Sequence, residues 1–227
     1  MATRKAQSGA AGLHSQMGCW TFVFIILSVL DLCGWTPRTV DAEGIWKKVV
    51  CVDDGDSIRL EDGQRVRYVT IDAPERGGPG QGEFLAEEAS RFNRALVLGR
   101  EVRLELEAEE RDRFGRLLAQ VYLKDGFWVN QAFVREGLAH VLYQAPNVDK
   151  FEELLADQRG AMEKRRGIWV KALQETEAAY PGQRKTRKMH RPDCPLGLKI
   201  SPANRVLFKT KREAYWLGYS PCRQCKP

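Results

Sequence analysis

The chain has 227 residues, 43% of them apolar and 29% charged, with a net charge of +6. That is enough for one hydrophobic core plus a small second module, and it excludes a large multidomain enzyme, wholesale disorder, a collagen-like repeat and a polytopic membrane protein. Residues 43–179 carry 21 basic and 26 acidic side chains whereas 180–227 carry 12 and 2, so the surface that seeks anionic partners is concentrated at the C-terminus.

The N-terminus has the pattern of an export signal. Arg4 and Lys5 precede an apolar stretch from Cys19 to Leu30, too short for the roughly 20 residues of a spanning helix. Val40-Asp41-Ala42 places small residues where a signal peptidase needs them. Residues 1–42 therefore read as a signal peptide cut after Ala42, with an uncleaved anchor as the rival. The mature chain is expected to be a monomer without a stable membrane span, exported to the periplasm or medium, or membrane-anchored if the signal stays.

Residues 43–170 read as a small β-barrel with three helices. Ile45 to Val52 is apolar and β-branched, and Asp56–Leu60 and Arg65–Ile71 alternate on either side of Asp62-Gly63, a hairpin signal. A two-residue turn there sets Ile58 opposite Arg67 and puts Asp56 and Arg67 on the core-facing side. Charges on such a face imply a structural ion pair, a metal or a ligand. A helix is predicted over Glu83–Leu98, strands at Val102–Leu106 and Leu117–Leu123, and helices over Trp128–Glu136 and Val148–Arg165. Five strands in this order suggest an α+β fold built on a partly open barrel of the oligonucleotide-binding (OB) kind.

Three fragments carry a resemblance: Asp54-Gly55-Asp56-Ser57, Arg67-Tyr68-Val69-Thr70-Ile71-Asp72-Ala73-Pro74-Glu75, and Asp112-Arg113-Phe114-Gly115-Arg116, with Gly167-Ile168-Trp169 after the last helix. Their order and spacing resemble the thermonuclease (staphylococcal nuclease-like) family over about Val49–Trp169. Asp56 and Asp72 supply hard oxygens suited to calcium, and the resemblance implies that the Ala73 carbonyl joins them where a hydroxyl residue is common. It further implies Glu75 as general base and Arg67 and Arg116 as the guanidiniums that grip the phosphate, whose planar forks suit that task. Arg113 falls where the family has a basic residue near a substrate phosphate, and Tyr143 where it stacks a base; a solvated charge and a core aromatic are the plain alternatives. Products with 3′-phosphate ends are implied by the resemblance alone.

Residues 171–188 are polar and basic and read as a linker. Beyond it, 189–227 holds His190-x3-Cys194 and Cys222-x2-Cys225. So few residues bury too little core to fold unaided, and a zinc ion on His190, Cys194, Cys222 and Cys225 would staple them. A disulfide between two of these cysteines is the competing reading, which export would favour. The segment resembles the metal-binding module of bacterial DNA-alkylphosphotriester repair proteins. Together the modules predict a calcium-dependent endonuclease of DNA and RNA with low sequence specificity and a structural zinc. The alternative is a noncatalytic nucleic-acid-binding protein on the same fold.

Overall fold

A computed structural model describes residues 45–78 and 80–227; the proposed signal and its cleavage site lie outside them. Among the described residues no helix is long and apolar enough to cross a membrane.

Strands β1 (Ile45–Asp54), β2 (Ser57–Leu60) and β3 (Arg65–Tyr68) form an antiparallel meander. After a two-residue strand, β4 (Ile71–Asp72), and helix α1 (Ala86–Val97), β5 (Glu101–Arg111) and β6 (Leu117–Tyr122) follow. The barrel order is β1-β2-β3-β6-β5; it is closed rather than partly open, because Ile45–Lys48 of β1 also pairs with Glu101–Leu104 of β5. Closure leaves no unpaired sheet edge. Val49, Ile58, Leu60, Val66, Val102 and Leu104 are buried.

Two corrections to the sequence reading concern how the barrel delivers its charged residues. The hairpin register is shifted by one: Ile58 faces Val66 and Ser57 faces Arg67. The turn spans three residues, with the Leu60 N–H donating to the Gln64 carbonyl and the Gly63 N–H to the Leu60 carbonyl. A one-residue slip exchanges the faces of a strand, so Arg67 lies on the face opposite Ile58 and Val66, where it is buried among other groups. The third predicted strand is also broken. Thr70 adopts φ 67°, which costs a β-branched residue about 1–3 kcal/mol. The kink takes Ile71 and Asp72 off the barrel and pairs them with β7 (His140–Val141).

Helices α2 (Val129–Arg135), α3 (Phe151–Glu163) and the single turn α4 (Trp169–Ala172) complete this part. The loop after α2 and the loop after α3 meet backbone to backbone, Ile168 N–H donating to the Gly137 carbonyl at 2.8 Å. Gly137 has φ 64°, and a Cβ there would lie 2.2 Å from the Arg166 carbonyl oxygen.

The C-terminal part of the expected linker, 171–188, is built into a sheet, and 173–179 alone carry neither helix nor strand between α4 and that sheet. Residues 180–189 form β8 (Tyr180–Gln183) and β9 (Lys188–Met189), which join β10 (Arg205–Phe208) and β11 (Ser220–Pro221) in the sheet β10-β8-β9-β11. Two short helices, α5 (Pro195–Leu198) and α6 (Lys211–Trp216), flank it. Polar composition hid apolar anchors at Tyr180 and Met189, both fully buried. They share one core with Met162, Ile168 and Trp169 of the nuclease-like part and with Phe208 and Tyr215 of the tail. The Gln158 side chain binds the two parts polar-to-polar, accepting from the Val141 N–H at 2.7 Å and donating to the Tyr215 carbonyl at 2.8 Å.

Gly137→Ala is expected to lower the unfolding free energy by about 3 kcal/mol, through backbone overlap added to left-handed strain. Gly126→Ala, at φ 83° with open space around it, is expected to cost only about 1 kcal/mol. Urea melts check the pair; equal losses would show that the loop-to-loop contact contributes nothing.

Candidate active site and metal centre

The first site lies where β2, β3 and the β4–β7 pair converge. Gly55 admits the approach: a Cβ there would lie 2.8 Å from that of Ala73 and 3.0 Å from that of Ala89 in α1. Asp56 follows and is held at both oxygens, one accepting from the Ser57 hydroxyl at 3.0 Å and the other from the Ala73 N–H at 2.8 Å. Arg67 sits between the two aspartates, 3.0 Å from Asp56 Oδ2 and 2.6 Å from Asp72 Oδ1, and it also donates to the Tyr68 carbonyl. All three side chains are buried.

Two carboxylates share this one guanidinium, and their environments push them apart. Burial raises the Asp56 carboxyl despite Arg67. Burial acts on Asp72 as well, but Arg67, then His140 and Arg223, outweigh it and hold Asp72 below the usual range. His140 lies opposite Asp72 across the β4–β7 pair. Its Nδ1 is 3.0 Å from the Val141 carbonyl, which can only accept, so Nδ1 carries the proton and Nε2 faces Asp72 at 3.9 Å. Burial lowers the imidazole pKa.

Glu75 is 58% exposed and lines a cavity of about 290 Å³ with Asp72, Ala73, Tyr215 and Arg223. Burial of its inner half and the neighbouring Asp54 raise its carboxyl. Arg116 stands across a second opening of about 390 Å³ that also reaches Arg67, Arg113 and Tyr143. There it pairs with Asp112 at 2.7 Å. Arg113 is exposed, with its guanidinium over the Phe114 ring. Tyr143 is half-buried, edge-on to Phe151, and the Arg187 guanidinium lies 4.6 Å from its ring centroid. Asp56, Arg67 and Asp72 are thus in direct contact. Glu75 reaches them through Asp72 and the first cavity, and Arg116, Arg113 and Tyr143 through the second.

Three residues that sequence reasoning missed belong to this neighbourhood: His140, Lys188 and Arg223. Arg223 Nη2 lies 2.6 Å from Asp72 Oδ1 and 3.7 Å from Glu75 Oε1. Lys188 lines the same opening as Arg67 and Arg116. The basic character of 180–227 was a signal for the last two, but not for which cations it would deliver.

The second site is the tail cluster. The ligand atoms of His190, Cys194, Cys222 and Cys225 all lie within 4.8 Å of one another. Tetrahedral zinc with bonds of about 2.0–2.3 Å spaces its ligands about 3.5–3.8 Å apart, within that limit. The four described cysteines, these three and Cys51, are free thiols, so the disulfide reading does not hold. Cys194 opens α5, and the Gly197 and Leu196 N–H groups there favour its thiolate against burial. Cys225 also accepts from the Arg191 N–H at 3.3 Å, but burial and the adjacent thiols push it up to about 12. A dication among three sulfurs removes that penalty, and the donor set of one histidine and three cysteines is that of closed structural zinc sites.

Comparison with known proteins matches this division. The family model "Staphylococcal nuclease homologue" matches residues 65–171, and "Metal binding domain of Ada" matches residues 170–227. An Escherichia coli protein named "Uncharacterized endonuclease" is 37% identical over 147 residues, which is 63% of this chain and 88% of its own. The thermonuclease of Staphylococcus hyicus is 36% identical over 127 residues, covering 54% of this chain and 74% of its own. Endonuclease YncB of Bacillus subtilis is 35% identical over 135 residues, 57% and 64% of the two chains.

Elemental analysis of the full chain, purified without added metal, is expected to find one zinc per molecule, falling to none in Cys194→Ser. A zinc-free chain with two of the tail cysteines oxidised to a disulfide would overturn the assignment.

Proposed function

Because the chain belongs to the staphylococcal nuclease homologue family and is a phosphodiesterase of that family, we propose that it is a calcium-dependent endonuclease cutting DNA and RNA with low sequence specificity. The observation that carries the reading is the buried Asp56–Arg67–Asp72 group with contacts of 3.0 and 2.6 Å, set in a groove lined by four arginines, Arg67 among them, and a tyrosine.

Asp56, Asp72 and the Ala73 carbonyl would hold calcium, a hard ion that accepts carboxylate and carbonyl oxygens and completes its shell with water. Bound there, the ion supplies a Lewis acid for a phosphoryl oxygen. Glu75 accepts a proton from the attacking water, whose oxygen forms the new bond to phosphorus as the P–O bond to the leaving strand breaks. Glu75 lines the first cavity with Asp72 and Ala73, within reach of a water held there. Arg67 and Arg116 neutralise the charge that grows on the phosphoryl oxygens. The other groove side chains address phosphate oxygens and base faces, neither of which encodes sequence. The complete set of acids and arginines argues against the noncatalytic alternative. The pattern of residues 1–42 supports export, where extracellular calcium is plentiful for a weak site.

Digestion of denatured DNA is expected to rise with added calcium and stop on chelation; turnover indifferent to the chelator would remove the ion from the mechanism. Glu75→Gln is expected to lower kcat by about 10²–10⁴-fold with an unchanged circular dichroism spectrum, and a variant as fast as the parent would exclude Glu75 as the base.

A further inference from the structure

The zinc cluster and the nuclease groove meet at one residue. Arg223 lies between two of the cluster's ligands, Cys222 and Cys225, and its guanidinium lies on Asp72. We propose that the zinc module supplies the nuclease with a third phosphate-binding guanidinium, Arg223, which with Lys188 forms a subsite for a backbone phosphate next to the one that is cut. The proposal rests on the nucleic-acid reading above and assigns part of that site to the tail.

Placement supports it first. Arg223 and Lys188 line the groove that holds Arg67, Arg113 and Arg116, and both also line a further cavity on the tail with Lys199 and Thr186. The two openings therefore share a cationic border, and a strand leaving the Arg67 phosphate meets Arg223 and Lys188 before it reaches the tail. Charge points the same way: the groove presents five cations against Glu109 and Asp112, and Asp112 is already paired with Arg116.

The manner in which Arg223 is held comes next. Arg67 is shared between Asp56 and Asp72, so Arg223 on the same Asp72 oxygen is the second cation of this acid pair and is anchored there at 2.6 Å. Among the described residues, the carboxylate contacts of Arg223 all run through Nη2. Nη1 and Nε are left as donors for a phosphate oxygen, and the side chain is 64% exposed. Asp72 orients the guanidinium through the Nη2 contact.

The backbone beneath it is fixed, which distinguishes this arginine from a solvated surface charge. The Cys222 N–H donates to the Met189 carbonyl at 2.8 Å, β11 pairs with β9, and Lys226 makes an ion pair of 2.8 Å with Glu83. Lys188 is steadied by its 2.7 Å bond to the Ser220 hydroxyl. Zinc on the two flanking cysteines would pin the same turn, so a structural metal positions a substrate-contacting side chain about one residue away in sequence.

The test uses the full zinc-loaded chain and a fluorescent single-stranded oligonucleotide. Affinity is measured by anisotropy across a salt series in the Glu75→Gln background, and kcat and KM are measured in the otherwise unaltered chain. Arg223→Ala is expected to weaken binding about tenfold and to flatten the plot of log affinity against log salt by about 0.7, the loss of one phosphate contact to a single strand. In the active chain its KM should rise more than its kcat falls. Arg223→Lys is expected to restore the salt slope but not the full affinity, since the charge returns without the fork. Lys188→Ala should move the slope in the same direction, with zinc content unchanged in each variant.

Unchanged affinity and slope in Arg223→Ala, while the parent cuts normally, would overturn the subsite alone. Tighter binding or faster cutting by that variant would also overturn it, by showing Arg223 to be a latch over Asp72. A flattened slope with a parent that binds but never cuts would keep the subsite and sink the nuclease reading.

Discussion

The site depends on one buried guanidinium. Arg67 is the cation that lets Asp56 and Asp72 lie close together under the rim of a closed barrel; among the described residues it is the one ion-pair partner of Asp56, whereas Asp72 also has Arg223 at 2.6 Å. Removing one partner of such a group typically costs about 3–5 kcal/mol, because what remains is an unpaired charge in low dielectric. The arrangement is therefore poor as a stabilising device, for apolar side chains would fill the same volume more cheaply. It makes sense as a preformed receptacle in which Arg67 lies between the two acids and holds them in place.

Holding Asp72 at that point takes three further features, each traceable to a particular residue. Thr70, in the left-handed region, turns the chain off the barrel and is steadied there by its carbonyl, which accepts from the Leu142 N–H at 2.8 Å. The released pair Ile71–Asp72 then takes its hydrogen bonds from β7, so His140 becomes the neighbour of Asp72. β7 in turn is tied by Gln158 to the backbone of α6. The tail is thus mechanically continuous with the acid it touches, through buried polar groups that have fully formed partners and little freedom to shift.

Much of this was legible in the sequence because it is written in local signals. The barrel strands announce themselves by alternation, and the motif around Arg67–Glu75 keeps its spacing because each residue must reach the same point. Other features were illegible for physical reasons. The Asp62-Gly63 turn is compatible with two- and three-residue loops, and only packing chooses between registers that differ by a whole face. The run 171–188 looked like a linker because its charged residues outnumber its apolar anchors, yet Tyr180 within it and Met189 just beyond it suffice to bury its C-terminal part. Arg223 was the least visible, since nothing in Cys222-x2-Cys225 says which way its intervening side chains point.

The tail's zinc cluster and the calcium site proposed at Asp56, Asp72 and Ala73 fit opposite chemistries. Three thiolates and an imidazole form a soft, closed set, suited to an ion that stays and shapes the chain. Two carboxylates and a carbonyl form a hard, open set, suited to an ion that keeps water and meets substrate. Calcium has little affinity for thiolates, so the tail set selects zinc while the acid set stays open to a hard ion. The tail's core is already shared with Trp169 and Met162, so zinc is not needed to supply the whole of its stability. What the closed site adds is stiffness in the few residues around Cys222, which is what a flexible arginine requires if its guanidinium is to wait for a phosphate.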